Sequence, residues 1–209
     1  LFALDPDTPL LTVLTGIIFL AVAYKTPRIA QGLMIAGVLA AAVAIPLYPL
    51  ILPIIDSTLL SWNIGDFTLR HRLAIWDFAA TKTMEQPFFG WGLGTSRLVP
   101  GADGFAQQLG PGAETLPLHP HNALLQLWLE LGIPGIALAL MAVVTVLARI
   151  TRYISGRKEL AMALTVIFSA TLIAELSYGI WQSWWLVFLW VIAALTIAIA
   201  GRPARSETA

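Results

Sequence analysis

The sequence predicts an all-α fold: a polytopic transmembrane helical bundle with a long extracytoplasmic, partly helical loop. The 209 residues are 58% hydrophobic and 11% charged, with a mean hydropathy of +0.80, which is too apolar for an ordinary soluble domain. Apolar segments of membrane-spanning length recur along the chain, and the stretch between them repeats its apolar residues at helical spacing. The absence of cysteine excludes a disulfide framework and a cysteine-ligated metal.

Five segments have the length and composition of membrane-spanning helices. A bilayer core of about 30 Å needs roughly 20 mainly apolar residues per helix. The segments are 8–24, 29–46, 133–149, 159–178 and 184–200. We therefore expect two transmembrane helices in 1–46, an extracytoplasmic loop in 47–132, three transmembrane helices in 133–200 and a cytoplasmic tail in 201–209. The chain begins at Leu1 with no charged segment before the first apolar run, so we expect a further transmembrane part upstream.

The distribution of basic residues predicts the orientation of these helices. Lysine and arginine in short connections are retained on the cytoplasmic side of a membrane. Such residues fall on one face of the five-helix layout: Lys25, Arg28, Arg149, Arg152, Arg157, Lys158, Arg202 and Arg205. The loop over 47–132 is therefore expected on the opposite, extracytoplasmic face.

The predicted loop contains a helix followed by a glycine turn. Apolar residues recur at helical spacing between Leu69 and Met84, and Pro87 ends the pattern. Gly90-Trp-Gly-Leu-Gly94 then permits tight turns of the backbone. Since this run lacks the lysine and the strand-to-helix context of a phosphate-binding loop, we interpret it as a hinge or a close-packing turn.

A second helix is predicted where the loop returns to the membrane. One helix from His121 to Arg149 would be about 43 Å long, well beyond the hydrocarbon thickness. Gly132 suits a helix end and Pro134 a helix start, so we expect a short interfacial helix over 122–131 before the span. Its polar residues are spaced by four, and we expect them to form a face open to solvent: Asn122, Gln126 and Glu130.

Two motifs in this region resemble a known family. His121-Asn122, followed nine residues later by Gly132-Ile-Pro-Gly135, is similar to the motif of the O-antigen ligase and O-antigen polymerase family. Arg72-Leu-Ala-Ile-Trp76, followed by Pro87 and the glycine run, resembles the family's extracytoplasmic helix and its Pro-x-x-Gly-x-Gly turn. The specific resemblance extends over 69–135, and the rest of the chain agrees in hydropathy and topology.

The resemblance implies a GT-C-like glycosyltransferase of the bacterial inner membrane with a periplasmic active site. Its donor would be a polysaccharide linked to undecaprenyl pyrophosphate. A ligase would transfer this polysaccharide to lipid A-core, whereas a polymerase would transfer it to another repeat unit. The resemblance further implies inversion at the anomeric carbon without a metal or other cofactor. We expect membrane lipid around the protein and no nucleic-acid partner.

Arginines in the loop are candidates for binding the pyrophosphate. The leaving group is strongly anionic, and the planar guanidinium binds phosphate bidentately. Arg72 holds the family position, whereas Arg70 lies two residues away and points about 200° from it, so one of the two is expected to face a ligand. Arg97 is a third candidate. The alternative is that Arg70 and Arg72 snorkel or pair with a nearby carboxylate, Asp66 or Asp77.

Histidine is the candidate base. The acceptor hydroxyl loses a proton as it attacks, and a group that titrates near neutrality can accept it. The family motif selects His121, although a histidine at a helix start is more often a capping or packing residue. His119 could substitute for His121 as the base, but Pro120 directs the two rings differently, and we expect His119 to bind substrate. Asn122 either orients a ring or a sugar hydroxyl, or caps the helix.

Some features leave alternatives open. The family carries another arginine at the outer end of a helix upstream of the loop, whereas Arg28, the first arginine here, lies on the predicted cytoplasmic side. That cation lies further upstream, or Asp5-Pro-Asp-Thr8 takes its place. Glu175 in a predicted span is either functional or reaches the interface. A transporter of lipid-linked sugars would need polar residues in several spans, whereas apart from Glu175 the predicted spans are nearly uncharged. We therefore favour a ligase, with a polymerase as the alternative.

Overall fold

The computed structural model describes residues 7–62, 67–106 and 113–200, which are predominantly helical. The helices are α1 (Asp7–Lys25), α2 (Pro27–Ala44), α3 (Tyr48–Ser61), α4 (Phe67–Glu85), α5 (Ala123–Tyr153), α6 (Arg157–Leu176) and α7 (Ser183–Ala200). Within the described ranges the β pairing is limited to one isolated bridge, Phe105 with Glu114. The all-α prediction is confirmed. Asp5, Asp66 and the predicted tail 201–209 lie outside the described residues.

Within the described ranges, four helical stretches are long and apolar enough to cross a membrane. They are Thr8–Lys25, Pro27–Ser61, Ala123–Tyr153 and Arg157–Leu176, and Ser183–Ala198 is a shorter apolar helix. Large apolar side chains lie exposed on these helices, such as Ile18 at 66% and Trp190 at 76%. A helix with an apolar exterior suits hydrocarbon rather than water. The protein is therefore a polytopic membrane protein.

Helix α5 is interrupted where the sequence predicts a helix end. Gly132 has φ 61° and ψ −151°, which is not helical, and Pro134 follows two residues later. The first part of α5 thus occupies the predicted short helix, and the second part occupies the predicted span. A residue with a Cβ would be strained at this φ, which explains glycine at position 132.

Helix α3 lies at the start of the predicted loop 47–132, in a stretch for which the sequence analysis predicted no particular helix. The chain passes through a 3-10 turn, Ile45–Leu47, into an apolar helix that has a proline in its first turn and Pro53 inside. Proline is tolerated in the first helical turn, where the missing N–H has no helical partner. Helix α3 packs against α4. A helix of 14 residues is about 21 Å long, which is short for a complete span.

The chain divides into two compact units. The first takes its described residues from 7–37, 141–173 and 182–200, and its core includes Phe19, Met34, Leu147 and Leu164. The second consists of the described residues in 38–140 and 174–181. Its core is built from the following buried side chains: Ile45, Ile75, Leu116, Leu124, Leu125, Leu129 and Ile136. All site residues predicted from the sequence belong to this second unit.

Candidate active site

His121 is fixed in an unusual conformation just before α5. Its φ of 55° is the one positive φ among the described residues other than glycine. Its backbone N–H donates to Nδ1 of His119 over 3.2 Å, and its own Nδ1 lies 2.8 Å from the carbonyl oxygen of Ser177. Because a carbonyl only accepts, Nδ1 of His121 carries the proton in this pair. In the neutral ring Nε2 then holds the free lone pair.

The surroundings of His121 favour its neutral form. Burial lowers its pKa most, while the hydrogen bond to Ser177 opposes this effect and the nearby charges of Arg72 and His71 lower the pKa further. A histidine whose pKa lies below its usual value stays unprotonated at neutral pH. The ring is therefore able to accept a proton.

His119 supports His121 from one side. The two ring centroids are 4.3 Å apart, and burial together with the charge of His121 lowers the pKa of His119 to about 4. A Cβ on Gly179 would lie 2.6 Å from Cδ2 of His119, so this ring needs glycine beside it. The carbonyl of the intervening Pro120 accepts a hydrogen bond from Trp76 Nε1 over 2.8 Å. The predicted contact of His119 with substrate stays a prediction.

Asn122 caps the start of α5. Its Oδ1 accepts a hydrogen bond from the backbone N–H of Leu125 over 2.8 Å, three residues along the chain. This is the geometry of an N-cap side chain, and the residue is buried. Of the two interpretations left open by the sequence, helix capping is supported by this hydrogen bond, and sugar binding stays a prediction.

The two arginines of α4 have different surroundings. Arg70 Nε donates to Oδ1 of Asp56 over 3.1 Å, forming a partly exposed ion pair with α3. Arg72 lies close enough to His121 for its charge to lower the pKa of that ring. The expectation that one of the two arginines faces a ligand stays a prediction. Among the described residues Arg70 pairs with Asp56 and not with Asp77, because helix α3, which the sequence did not predict, brings Asp56 alongside α4. Asp66 lies outside the described residues.

Arg97 has no described interaction with His121 or with the arginines of α4. It belongs to the 3-10 turn Ser96–Leu98 and is exposed, and no described residue forms a hydrogen bond or ion pair with its side chain. Its predicted role in substrate binding stays a prediction. No group of three or more histidine, aspartate or glutamate residues in the described ranges is arranged to hold a metal ion.

The glycine turn is packed against the backbone of α5. Trp91 N–H donates to Leu129 O over 2.8 Å, and Gly92 N–H donates to Glu130 O over 2.9 Å. A Cβ on Gly90 would collide with the Glu130 backbone, and one on Gly132 would lie 2.6 Å from the Phe88 carbonyl carbon. Gly90 and Gly132, one from each motif, therefore permit a close backbone contact between two segments about 40 residues apart.

The polar row of α5 is buried, so the expected solvent-open face is wrong. Asn122 and Gln126 are each 5% exposed, and Glu130 is fully buried. The Glu130 carboxylate accepts hydrogen bonds from four groups: Gly94 N–H at 2.8 Å, Gln126 Nε2 at 3.0 Å, Trp181 Nε1 at 2.6 Å and the Ser96 hydroxyl. The spacing by four marked this row, but the sequence did not reveal that other segments cover it.

Glu175 lies near the start of α5. Its Oε2 accepts a long hydrogen bond from Leu124 N–H over 3.4 Å. A carboxylate beside the first turn of a helix is favourably placed for the helix dipole. The contact gives a structural role to Glu175, which the sequence analysis noted as a carboxylate within a predicted span.

Comparison with known proteins identifies the family. Residues 1–140 match the family model described as O-antigen ligase, and the chain belongs to this family. A protein of Rickettsia conorii, provisionally named a polysaccharide ligase, is 36% identical over 131 residues, which cover 62% of this chain and 32% of that protein. A Rickettsia bellii protein with the same name is 32% identical over 194 residues, covering 89% of this chain and 45% of that protein. The chain thus spans less than half the length of these relatives. No solved structure matches it significantly.

Proposed function

We propose that the protein transfers a polysaccharide from undecaprenyl pyrophosphate to lipid A-core at the periplasmic face of the bacterial inner membrane. The observation that carries this proposal is the placement of His121: its Nδ1 is bonded to the Ser177 carbonyl, which leaves Nε2 as the acceptor, and Arg72 lies close enough for its charge to act on the same ring. This arrangement unites a proton acceptor with a phosphate-binding cation. Family membership supports a polysaccharide as the transferred group.

His121 activates the acceptor in this proposal. Its Nε2 takes the proton of a lipid A-core sugar hydroxyl as that oxygen attacks the anomeric carbon of the donor. The new glycosidic bond forms while the bond from the anomeric carbon to the pyrophosphate oxygen breaks, and the bonding electrons leave with the pyrophosphate. One displacement of this kind inverts the anomeric carbon, and it needs no metal.

Arg72 stabilises the charge that develops on the departing pyrophosphate. A guanidinium in place before the reaction lowers the barrier, because it needs no reorganisation as charge accumulates. Arg70 is held by Asp56, so its contribution requires that ion pair to open. Arg97, exposed after the glycine turn, is available to a phosphate without breaking a described contact.

The choice of acceptor separates this function from its alternatives. Membranes containing the full protein and lipid-linked polysaccharide would be supplied with lipid A-core or with a second lipid-linked repeat unit. We expect polysaccharide attached covalently to lipid A-core, detected by a mass shift of the lipid. Chain growth on the carrier alone would identify a polymerase, and movement of the donor across the membrane without a new bond would identify a transporter. Either result would contradict the proposal.

A further inference from the structure

The buried Glu130 carboxylate connects three segments of the second unit. Its donors lie in the glycine turn (Gly94) and the 3-10 turn just after it (Ser96), in α5 (Gln126) and in segment 174–181 (Trp181). The N–H donors reach both oxygens: Gln126 Nε2 bonds Oε1, whereas Gly94 N and Trp181 Nε1 bond Oε2. An ionised carboxylate can accept all four bonds, and charged acceptors make the stronger hydrogen bonds.

Segment 174–181 is held to α5 through this carboxylate in two ways. Trp181 Nε1 donates to it directly over 2.6 Å. Gln126 donates to it with Nε2 and uses its own Oε1 to accept the backbone N–H of Ile180 over 2.9 Å. The same segment supplies the Ser177 carbonyl that accepts from His121 Nδ1. A continuous set of contacts therefore leads from Glu130 to the ring of His121.

We propose that Glu130 is a positioning residue for the transfer reaction: it anchors segment 174–181 so that the Ser177 carbonyl orients the His121 ring and leaves Nε2 to act. This inference rests on the proposed role of His121. Glu130 acts through the segment and not on the substrate, because it is fully buried and its oxygens are occupied by protein donors. Buried groups that hold a reacting side chain control its orientation, and a small misplacement lowers the rate strongly.

Release of the segment has a second consequence for His121. The charged and titratable groups that act on this ring are Arg72 and His71 of α4 and the neighbouring His119, and Glu175 lies on the segment side against Leu124. Replacing Glu130 or its donors removes none of these groups, and of them only Glu175 lies on the segment that Glu130 anchors. Release of the segment weakens both the burial that lowers the pKa of His121 and the Ser177 hydrogen bond that raises it. Because burial is the larger of these two influences, the pKa rises toward its usual value when both are lost.

Paired variants of the full protein in membranes test this role. Glu130→Gln keeps the size of the side chain but replaces one accepting oxygen with an NH2 donor. Because this loosens the segment that orients His121, we expect about a 10- to 100-fold loss of transfer. Trp181→Phe and Ser96→Ala each remove one hydrogen bond from the same carboxylate, but only Trp181 lies on the segment that holds His121. The readout is the pH at which transfer declines on the acidic side. Glu85→Gln on α4, whose partner is Lys82, is the matched glutamate control.

We expect the acidic decline to move to higher pH in Trp181→Phe and in active Glu130→Gln, and to stay at the wild-type position in Ser96→Ala and Glu85→Gln. Should Glu130→Gln fail to accumulate, the Trp181→Phe and Ser96→Ala pair still decides. If transfer by Trp181→Phe and by Ser96→Ala declines at the same acidic pH, whether or not that pH differs from the wild-type value, the positioning role is overturned. His121→Ala separates the two proposals: if it loses transfer while Trp181→Phe keeps the wild-type decline, only the role of Glu130 fails. Wild-type transfer by His121→Ala would refute both.

Discussion

At the scale of single residues, the conformation of His121 is maintained by its neighbours. A left-handed backbone at a residue other than glycine costs about 1–3 kcal/mol. The hydrogen bonds from the His121 backbone N–H to His119 Nδ1 and from its ring Nδ1 to the Ser177 carbonyl compensate for this strain. Of the two ring nitrogens, Nε2 is then the one left to act. Strain of this kind concentrates at functional sites, which agrees with the proposed role of the ring.

The lowered pKa of His121 predicts the pH dependence of transfer. Protonated His121 cannot accept the acceptor proton, so the rate falls as the pH falls through the pKa of this ring. Because burial and the charge of Arg72 lower that pKa, we expect transfer to persist below pH 6.5, the usual value for histidine, and to decline at lower pH. Initial rates measured across the acidic range test this. A decline centred at or above pH 6.5 would contradict the assignment of the base.

Substitutions of Asn122 distinguish capping from sugar binding. Asn122→Ala removes the bond to Leu125 N–H and should lower the free energy of unfolding by about 1 kcal/mol, whereas Asn122→Ser retains a cap. We expect the serine variant to restore both thermal stability in detergent and transfer. Restored stability without restored transfer would indicate that the amide also contacts the sugar.

At the scale of the elements, the glycine turn and α5 form one close contact. Gly132→Ala should destabilise the protein by more than about 1 kcal/mol, since alanine is strained at φ 61° and its Cβ would meet the Phe88 backbone. Gly90→Ala should have a similar effect through Glu130. Folded protein recovered after membrane extraction measures this loss.

Gly37→Ala is the control for these two variants. Gly37 lies in α2, and a methyl group at this position would meet no neighbouring group within 4 Å, so alanine there should maintain or raise stability. Equal recovery of all three variants would show that the turn does not need its glycines.

The sequence predicted the elements whose signals are local. The apolar period of α4, the end of the helix at Gly132 and the two glycine motifs all depend on neighbouring residues, and the structure contains them at the expected places. Helix α3 was missed because three prolines within eight residues, Pro46, Pro49 and Pro53, favour a loop. The burial of Glu130 was missed because its donors come from distant segments, and spacing along one helix does not report what covers it.

At the scale of the whole molecule, the orientation in the membrane is the prediction on which a periplasmic site depends. These 209 residues contain no cysteine, so single cysteines can be introduced at two exposed positions, Asp103 and Ser155, with any cysteine elsewhere in the full protein replaced by serine. We expect a membrane-impermeant maleimide to label Asp103→Cys in intact spheroplasts and Ser155→Cys only after lysis, since Arg152 and Arg157 lie beside the second position. The reverse pattern would place the site in the cytoplasm.

The set of site residues is a property of the tertiary structure more than of the sequence. His121 and Arg72 were found because each lies in a motif, and the structure places the charge of one near the ring of the other. Nothing in the sequence indicated Asp56 as the partner of Arg70 or Ser177 as the partner of His121, because these partners come from other helices or loops. Motifs identify candidate residues, but their hydrogen-bond partners require the fold.

Replacement of His121 by alanine tests the central claim most directly. Transfer of lipid-linked polysaccharide to lipid A-core would be measured in membranes that contain equal amounts of the wild-type and His121→Ala proteins. His71→Gln is the control, because it removes a different histidine. His71 lies on α4, and its Nε2 bonds to the Glu114 carbonyl. We predict that transfer is lost in His121→Ala and retained in His71→Gln. Wild-type transfer by a folded His121→Ala protein would contradict the assignment of His121 as the base.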